Sequence, residues 1–437
     1  MPQGWPFIGF ARIGNEKKGR RNVFSASTYL SMIVIADDIT GAAEIAGIAF
    51  ERGQRVRLVC GATEIPDVPK NNNFSIVNGT LVIATDTRSM SEQEAVAETK
   101  RLAAALNERV SLSPSTFQKD TFIFKKVDSA LRGHVVAELQ ALMEATGMKR
   151  AVYLPANPSK GRIIKDGIYY IKEKGKEVPI AETAFSFDPE FPANTSMLCE
   201  RFPDAREKGI IMPDAENEGD LLHAIDSYND GYTLFAGAAD LFSLLISSSS
   251  FEHFSCPPLP DKPSTFNSDL SCHTLLEKSS TLNSDFYKDE NRGLLILCGS
   301  TQSGPTGLSL PVSPMPLNVY DGADDITTWL SDAIGKYTDM GSLILTIPHR
   351  HRIGHDAAVH LRQMMAKMAC RLMEQQQPKH LIIEGGATAY SVLHLLGRSL
   401  FEVVCQWTPG VVSLGKPDAP IVTLKPGSYS WGTLFSK

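Results

Sequence analysis

Four times between residues 32 and 162, a short apolar, β-branched run breaks directly into a polar loop and then into new structure. MIVIA (32–36) is followed by DDITG (37–41) and the helix-compatible AAEIAGIAFERG; LVIAT (81–85) is followed by DTRS and SEQEAVAETKRLAAALNERV. TFIFKK (121–126) leads into VDSALRG and a further helix, and AVYLP (151–155) into ANPSKGR. Val96, Thr99, Leu102, Leu106 and Val110 share one helix face at spacings of three and four. Val135, Leu139, Leu142 and Thr146 do the same in the next helix, which Gly147 should end. Apolar strands alternating with amphipathic helices imply parallel βαβ units in an open sheet.

A second block repeats the style. GLLILCGSTQS (293–303), GSLILTIPHR (341–350) and HLIIEGGATAYSVLHLLG (380–397) each begin as strands with polar exits, and residues 355–376 read as a long helix ended by Pro378. Its Met-rich stretch, 364–373, is expected in the core. Between the blocks, residues 247–292 are Ser/Pro/Asn-rich and lack periodicity, as a linker would. The expected fold is therefore α/β with two domains, each a largely parallel sheet flanked by helices. The boundaries are 32–246 and 293–437, and residues 1–31 form a basic leader or upstream extension expected to be poorly ordered.

Composition narrows the function classes. Forty-three basic and 49 acidic side chains give a net charge of −6, which advertises neither a nucleic-acid nor an anionic-membrane surface. No run approaches the roughly 18 apolar residues of a membrane span. Seven cysteines with no C-x-x-C pair argue against a zinc ribbon and a disulfide scaffold. The expectation is a cytoplasmic protein whose partner is a small molecule, with the assembly left open between a monomer and a homodimer.

The polar chemistry falls at the strand exits. Ligands of open α/β sheets bind outside the carboxyl ends of the strands. That edge would gather Asp37, Asp38, Asp86 and Asp128 with Arg88, Lys126, Arg132 and Arg162. A surface so rich in both signs suits a small, polyhydroxylated anion. Gly385-Gly386, after LIIE and before Thr388, is a candidate phosphate cradle, because glycines admit a phosphate close to backbone N–H groups at a helix start. Neither the P-loop nor the dinucleotide fingerprint is present.

ADDITGAAEIAG (36–47), TDTRS (85–89), KKVDSALRGH (125–134), LPANPSKGRIIKDGIYYI (154–171), PIAETAFSFDP (179–189), CGSTQS (298–303), GGATA (385–389) and KPGSYSWG (425–432) occur in this order. In these motifs the chain resembles the four-carbon acid sugar kinases. The resemblance implies an N-terminal acid-sugar domain, a C-terminal nucleotide domain, and phosphorylation of a threonate, erythronate or 3-oxo-tetronate at its terminal hydroxyl with ATP and Mg2+. It implies an acid-sugar site of Asp37, Asp38, Thr40, Gly41, Arg88, Lys126, Asp128, Ser129, Arg132 and Gly133, to which Arg162 is added from the charged edge. Ser300, Gly385, Gly386, Ala387, Thr388 and Gly427 would surround the nucleotide phosphates. No metal ligand is assigned. The chain departs from the family pattern at Ala387, where GGDTA is usual, and at Ala130 and His134, where DSTLRGN is usual. Glu384 is the nearest carboxylate that could replace the missing acid of the glycine turn.

Phosphoryl transfer needs positioning, charge neutralisation and an acceptor for the hydroxyl proton. An Asp of the 37–38 pair is the expected base, with Asp128 second. Arg88, Lys126 and Arg132 are expected to hold the substrate carboxylate. The alternative is a non-catalytic acid-sugar-binding homologue.

Overall fold

The computed structural model describes residues 31–61, 79–110, 121–188, 190–247, 293–299, 309–348 and 355–427. The leader up to residue 30, the linker from 248 to 292, Ser300 and the tail after Gly427 lie outside the described residues.

The N-terminal block contains β1 (Ser31–Ala36), α1 (Ile39–Glu51), β2 (Arg55–Cys60), β3 (Gly79–Ala84), α2 (Glu92–Val110), β4 (Thr121–Lys126), α3 (Val135–Thr146) and β5 (Arg150–Leu154). A small antiparallel sheet follows: β6 (Arg162–Lys165), β7 (Ile168–Glu173) and β8 (Lys176–Pro179). Then come β9 (Ile210–Ile211), α4 (Glu218–Tyr228), β10 (Thr233–Gly237) and α5 (Ala239–Leu245). The C-terminal block adds β11 (Leu294–Cys298), β12 (Val312–Pro314), α6 (Thr327–Met340), β13 (Ser342–Thr346), α7 (His355–Gln376), β14 (His380–Glu384) and α8 (Gly386–Leu395). It ends with β15 (Leu400–Thr408), β16 (Val411–Gly415) and β17 (Ile421–Lys425).

Local causes are visible at the helix ends. Asp38 caps α1 by accepting the Gly41 N–H at 3.0 Å, and Asn217 with Asp220 forms a reciprocal capping box on α4. Gly147 ends α3 in the left-handed conformation that costs glycine least. The inward faces are the ones periodicity marks. Thr99, Leu102 and Leu106 of α2, Val135, Leu139, Leu142 and Thr146 of α3, and Met364, Met365, Met368 and Met373 of α7 are all buried.

The blocks share one 14-stranded sheet, ordered β12-β13-β11-β14-β17-β16-β15-β2-β3-β1-β4-β10-β5-β9. The strands from β12 to β17 and those from β2 to β9 in this order form two parallel sets, and the antiparallel pairings β17–β16, β16–β15 and β15–β2 join them. Three reversals leave β14 running opposite to β1 along the sheet. Twist of about 20–25° per strand, accumulated over the six steps from β1 to β14, turns their carboxyl ends toward one another. Helix α1 fills the hollow, packing on β2, β3, β15 and β16 and meeting α8. β1 lies between β3 and β4, and β11 between β13 and β14, so a topological switch point opens in each block.

Candidate active site

The exit of β1 delivers Asp37 and Asp38, that of β3 delivers Arg88, and that of β4 delivers Asp128. Arg88 grips Asp37 with two parallel bonds of 2.9 Å, reaches Asp38 Oδ1 at 3.0 Å, and approaches Asp128 Oδ1 at 3.7 Å. One guanidinium thus serves three acids. The threonines flanking it turn inward, where Thr85 donates to the Ala36 carbonyl and Thr87 to Glu138.

The three carboxylates are not equivalent. Asp37 is only 1% exposed, and burial pushes its carboxyl up against the opposing pull of Arg88. For Asp38 burial also pushes up, but Arg88, Lys126 and the Thr40 hydroxyl outweigh it and hold the carboxyl below its ordinary value. Asp128 is held well below that range: burial is overcome by Arg132 and Arg88. It accepts from the Ala130 N–H at 2.9 Å and from both ends of the Arg132 fork at 2.9 Å, so its lone pairs are committed to the loop it starts. Asp38 alone of the three combines an ionised oxygen with a position facing the other block.

That facing is the central geometric fact. A Cβ built on Gly386 would lie 3.1 Å from Thr40 Cγ2, 3.3 Å from Thr40 Oγ1 and 3.4 Å from Asp38 Oδ2. The Gly385-Gly386 turn of the C-terminal block therefore abuts the first acidic exit of the N-terminal block. Gly385 takes φ 94° and, as the N-cap of the ten-residue α8, offers no side-chain cap to its first N–H groups. Gly299 packs as tightly from the β11 exit: its Cβ would fall 2.8 Å from the Glu384 carbonyl and closer still to Thr388. Thr388 is buried there, Ala387 presents only a methyl group, and Gly427 follows β17 half-buried. The Gly385–Thr388 turn is the part of this exit that could hold a phosphate, through backbone N–H groups at the start of α8. Among the described residues no group of three or more acidic, histidine or cysteine side chains is arranged to hold a metal.

Around the acid exit the remaining expected residues converge. A Cβ on Gly41 would meet Asp38 Oδ1 at 2.6 Å and Lys126 Nζ at 3.3 Å, so glycine is what allows these groups to close up. Lys126 donates to the Val127 carbonyl at 2.9 Å and lies 3.5 Å from Glu44. Gly133 adopts φ 97° with its Cα face against Asp37. Arg162, stacked over the Phe185 ring, donates to the Ser129 hydroxyl. Arg132 spans Asp128 and, at 3.5 Å, Asp188.

The structure corrects one expectation. Glu384 is fully buried and paired with Lys425 at 2.7 Å across β14–β17, so it is sealed beneath the turn and cannot replace the acid missing at Ala387. Sequence reasoning also missed Glu44, Tyr169, Asp188 and Arg201. Glu44 had a readable signal, since it falls one helical turn after Thr40 and Gly41. Tyr169 reaches the site from β7, and Asp188 and Arg201 from the segment after β8, by long-range hydrogen bonds and ion pairing that no periodicity encodes.

Residues 32–209 match the model of a sugar-binding N-terminal domain. The chain is 32% identical over 171 residues to a D-threonate kinase of Salmonella typhimurium, a match covering 39% of this chain and 36% of that one. Against a 3-oxo-tetronate kinase of Pectobacterium atrosepticum the identity is 21%, over 92% of this chain and 97% of the relative. In these matches the chain is similar to four-carbon acid sugar kinases. In the first of these matches the chain spans little more than a third of the relative's length. The fold agrees with that of a Salmonella typhimurium LT2 protein solved under the provisional name of a tRNA synthase (TM-score 0.64, 19% identity, 93% and 98% of the two chains covered). The residues matched by the domain model, 32–209, include the β1, β3 and β4 exits. No helix among the described residues is long and apolar enough to cross a membrane.

Proposed function

We propose that this protein is an ATP-dependent kinase that phosphorylates the terminal hydroxyl of a four-carbon acid sugar such as threonate, erythronate or a 3-oxo-tetronate. The observation that carries the reading is the abutment of Gly386 on Asp38 and Thr40. A phosphate chain on the Gly385–Thr388 turn would present its terminal group to whatever hydroxyl lies beside Asp38. In this reading residues 32–246 form the acid-sugar domain and 293–437 the nucleotide domain.

Asp38 is the acceptor for the substrate hydroxyl proton; its lowered pKa suits an orienting carboxylate in a reaction dominated by positioning and electrostatics. Asp37 orients Arg88, and Asp128 orients Arg132. Arg132, at the rim and only loosely engaged by Asp188, is the guanidinium best placed to exchange a protein carboxylate for the substrate's. Gly385, Gly386, Ala387 and Thr388 supply backbone N–H groups to the phosphates, with Gly427 alongside. Bound magnesium would supply charge neutralisation at the transferring group, with most of its shell kept as water and phosphate oxygen.

The test is ADP release with a panel of threonate, erythronate and their 3-oxo forms, both enantiomers, in wild type and Asp38→Asn. Wild type should turn over at least one acid. Asp38→Asn should lower kcat by about 10²–10⁴-fold with acid-sugar binding retained. Absence of stimulation by every C4 acid would overturn the reading.

A further inference from the structure

The loop that starts at Asp128 holds a conformation its sequence does not favour. Leu131 is buried yet takes φ 63°, and Gly133 takes φ 97°. A left-handed leucine is an outlier that persists only where surrounding contacts impose it. Those contacts come from one side chain in particular. Arg201, at the end of the short helical turn Leu198–Arg201, donates through Nε and Nη2 to the Leu131 carbonyl at 3.3 and 3.1 Å. Its Nη1 donates to the Pro192 carbonyl at 2.8 Å, and Nη2 also reaches the Phe191 carbonyl at 3.4 Å. Phe191 in turn lies edge-on to His134, and the Tyr169 hydroxyl donates to the Ser129 carbonyl two residues before Leu131.

We propose that Arg201 is a positioning residue for acid-sugar binding, its single planar fork locking the Asp128–Gly133 loop to the Phe191–Pro192 segment. The inference rests on the reading of that loop as part of the acid-sugar site. The peptide whose carbonyl Arg201 fixes is the one that leads into Arg132. Its orientation sets both the Arg132 N–H, which bonds Asp128, and the direction in which the Arg132 side chain leaves the backbone. Five donors in a rigid plane are what three carbonyls on two segments require. Lysine, a point charge on a flexible stem, cannot span them.

The experiment compares wild type, Arg201→Lys and Arg201→Gln by three readouts: calorimetric binding of threonate, erythronate and their 3-oxo forms; calorimetric binding of ATP; and amide exchange of residues 128–133 without ligand. Both variants should exchange that loop faster and bind the acid sugar on the order of tenfold to a hundredfold more weakly, with ATP affinity unchanged. Lysine should not rescue. A residue serving only general stability would lower the melting temperature while leaving acid-sugar affinity within about twofold of wild type, and that result overturns the proposal. So does loop exchange equal to wild type. If Arg201→Gln fails to fold, Arg201→Lys carries the same comparison. If wild type binds none of the acids, the functional reading fails separately, and loop exchange alone then decides whether Arg201 positions the loop.

Discussion

The two strand exits that meet at Asp38 and Gly386 are built by opposite means. The N-terminal exit is built from side chains: Asp37, Asp38 and Asp128 on Arg88, with Arg132 and Lys126 at the margins. The C-terminal exit is built from backbone, with Gly299 and Gly386 letting Thr388 and Thr40 pack close and Ala387 adding no polar atom. Both rest on the same foundation. Lys125 pairs with Glu138 at 2.5 Å under the first, and Lys425 pairs with Glu384 at 2.7 Å under the second; each pair is shut off from solvent. The difference teaches that the charge of a strand exit can stand open at its rim or be kept below it as structure.

The largest effect should come from breaking those foundations. Removing one partner of a buried pair leaves an uncompensated charge and costs about 3–5 kcal/mol. Glu384→Gln should therefore lower stability by that order while leaving the magnesium dependence of turnover unmoved. Glu138→Gln should cost less, because amide and Thr87 hydroxyl can still pair. Chemical denaturation of both variants checks the ranking. A stable Glu384→Gln protein with a raised magnesium requirement would show that the carboxylate serves the ligand after all.

Gly386→Ala sharpens the contrast at the seam itself. The added methyl group would press on Thr40 and Asp38 at 3.1–3.4 Å, so Thr40 must give way by a few tenths of an ångström. We expect nucleotide KM to rise about tenfold or more with melting temperature nearly unchanged, since displacements of this scale at a phosphate contact are felt in binding before stability. Unchanged kinetics for ATP would detach the glycine turn from the phosphates.

How much of this was legible in the sequence follows the same divide. DDITG, TDTRS and VDSALRG announce themselves because their chemistry lies in side chains at strand ends, and the structure brings Asp37, Asp38, Arg88, Asp128 and Arg132 within one network. The helix ending at Gly147 and the buried methionines of α7 follow directly from periodicity and stop signals. The single sheet does not. RVRLVC in β2 and the strands β15 and β16 join the blocks through antiparallel edges, and short alternating runs carry no mark of their distant partners. The abutment of Gly386 on Asp38 is likewise a product of accumulated twist. Arg201 was invisible for a related reason, since its partners are carbonyl groups that every residue owns.

Arg132→Lys probes the side-chain exit at its rim. Lysine keeps the charge but loses the fork that holds Asp128 at 2.9 Å on two oxygens. A loss of about 1–3 kcal/mol in acid-sugar binding, read as raised KM with kcat little changed, is expected. Equal KM values would return Arg132 to a purely structural pairing with Asp128 and Asp188.

A pH-dependent effect of comparable size tests where the two exits touch electrostatically. Asp86, at the β3 exit, takes φ 59° and accepts the Ser89 hydroxyl at 2.5 Å. Burial pushes its carboxyl up to about 6, against the pull of the Ser89 hydrogen bond and of Arg362 on α7. A carboxyl raised in the folded state binds its proton more tightly there than in the unfolded chain. Its favourable contribution is whole below the ordinary carboxylate range and is lost as pH rises through about 6. Asp86→Asn keeps a residue that tolerates the left-handed region and removes this titration. At roughly 1.4 kcal/mol per pKa unit, the variant should be more stable than wild type at pH 7.5 by on the order of 1–3 kcal/mol. At pH 4.5 most of that advantage should vanish. Thermal melts at the two pH values decide it. If Asp86→Asn is instead the weaker protein at pH 7.5, the attraction of Arg362 across the seam outweighs burial. The C-terminal block would then contribute a side chain, and not backbone alone, to the charged exit of the N-terminal one.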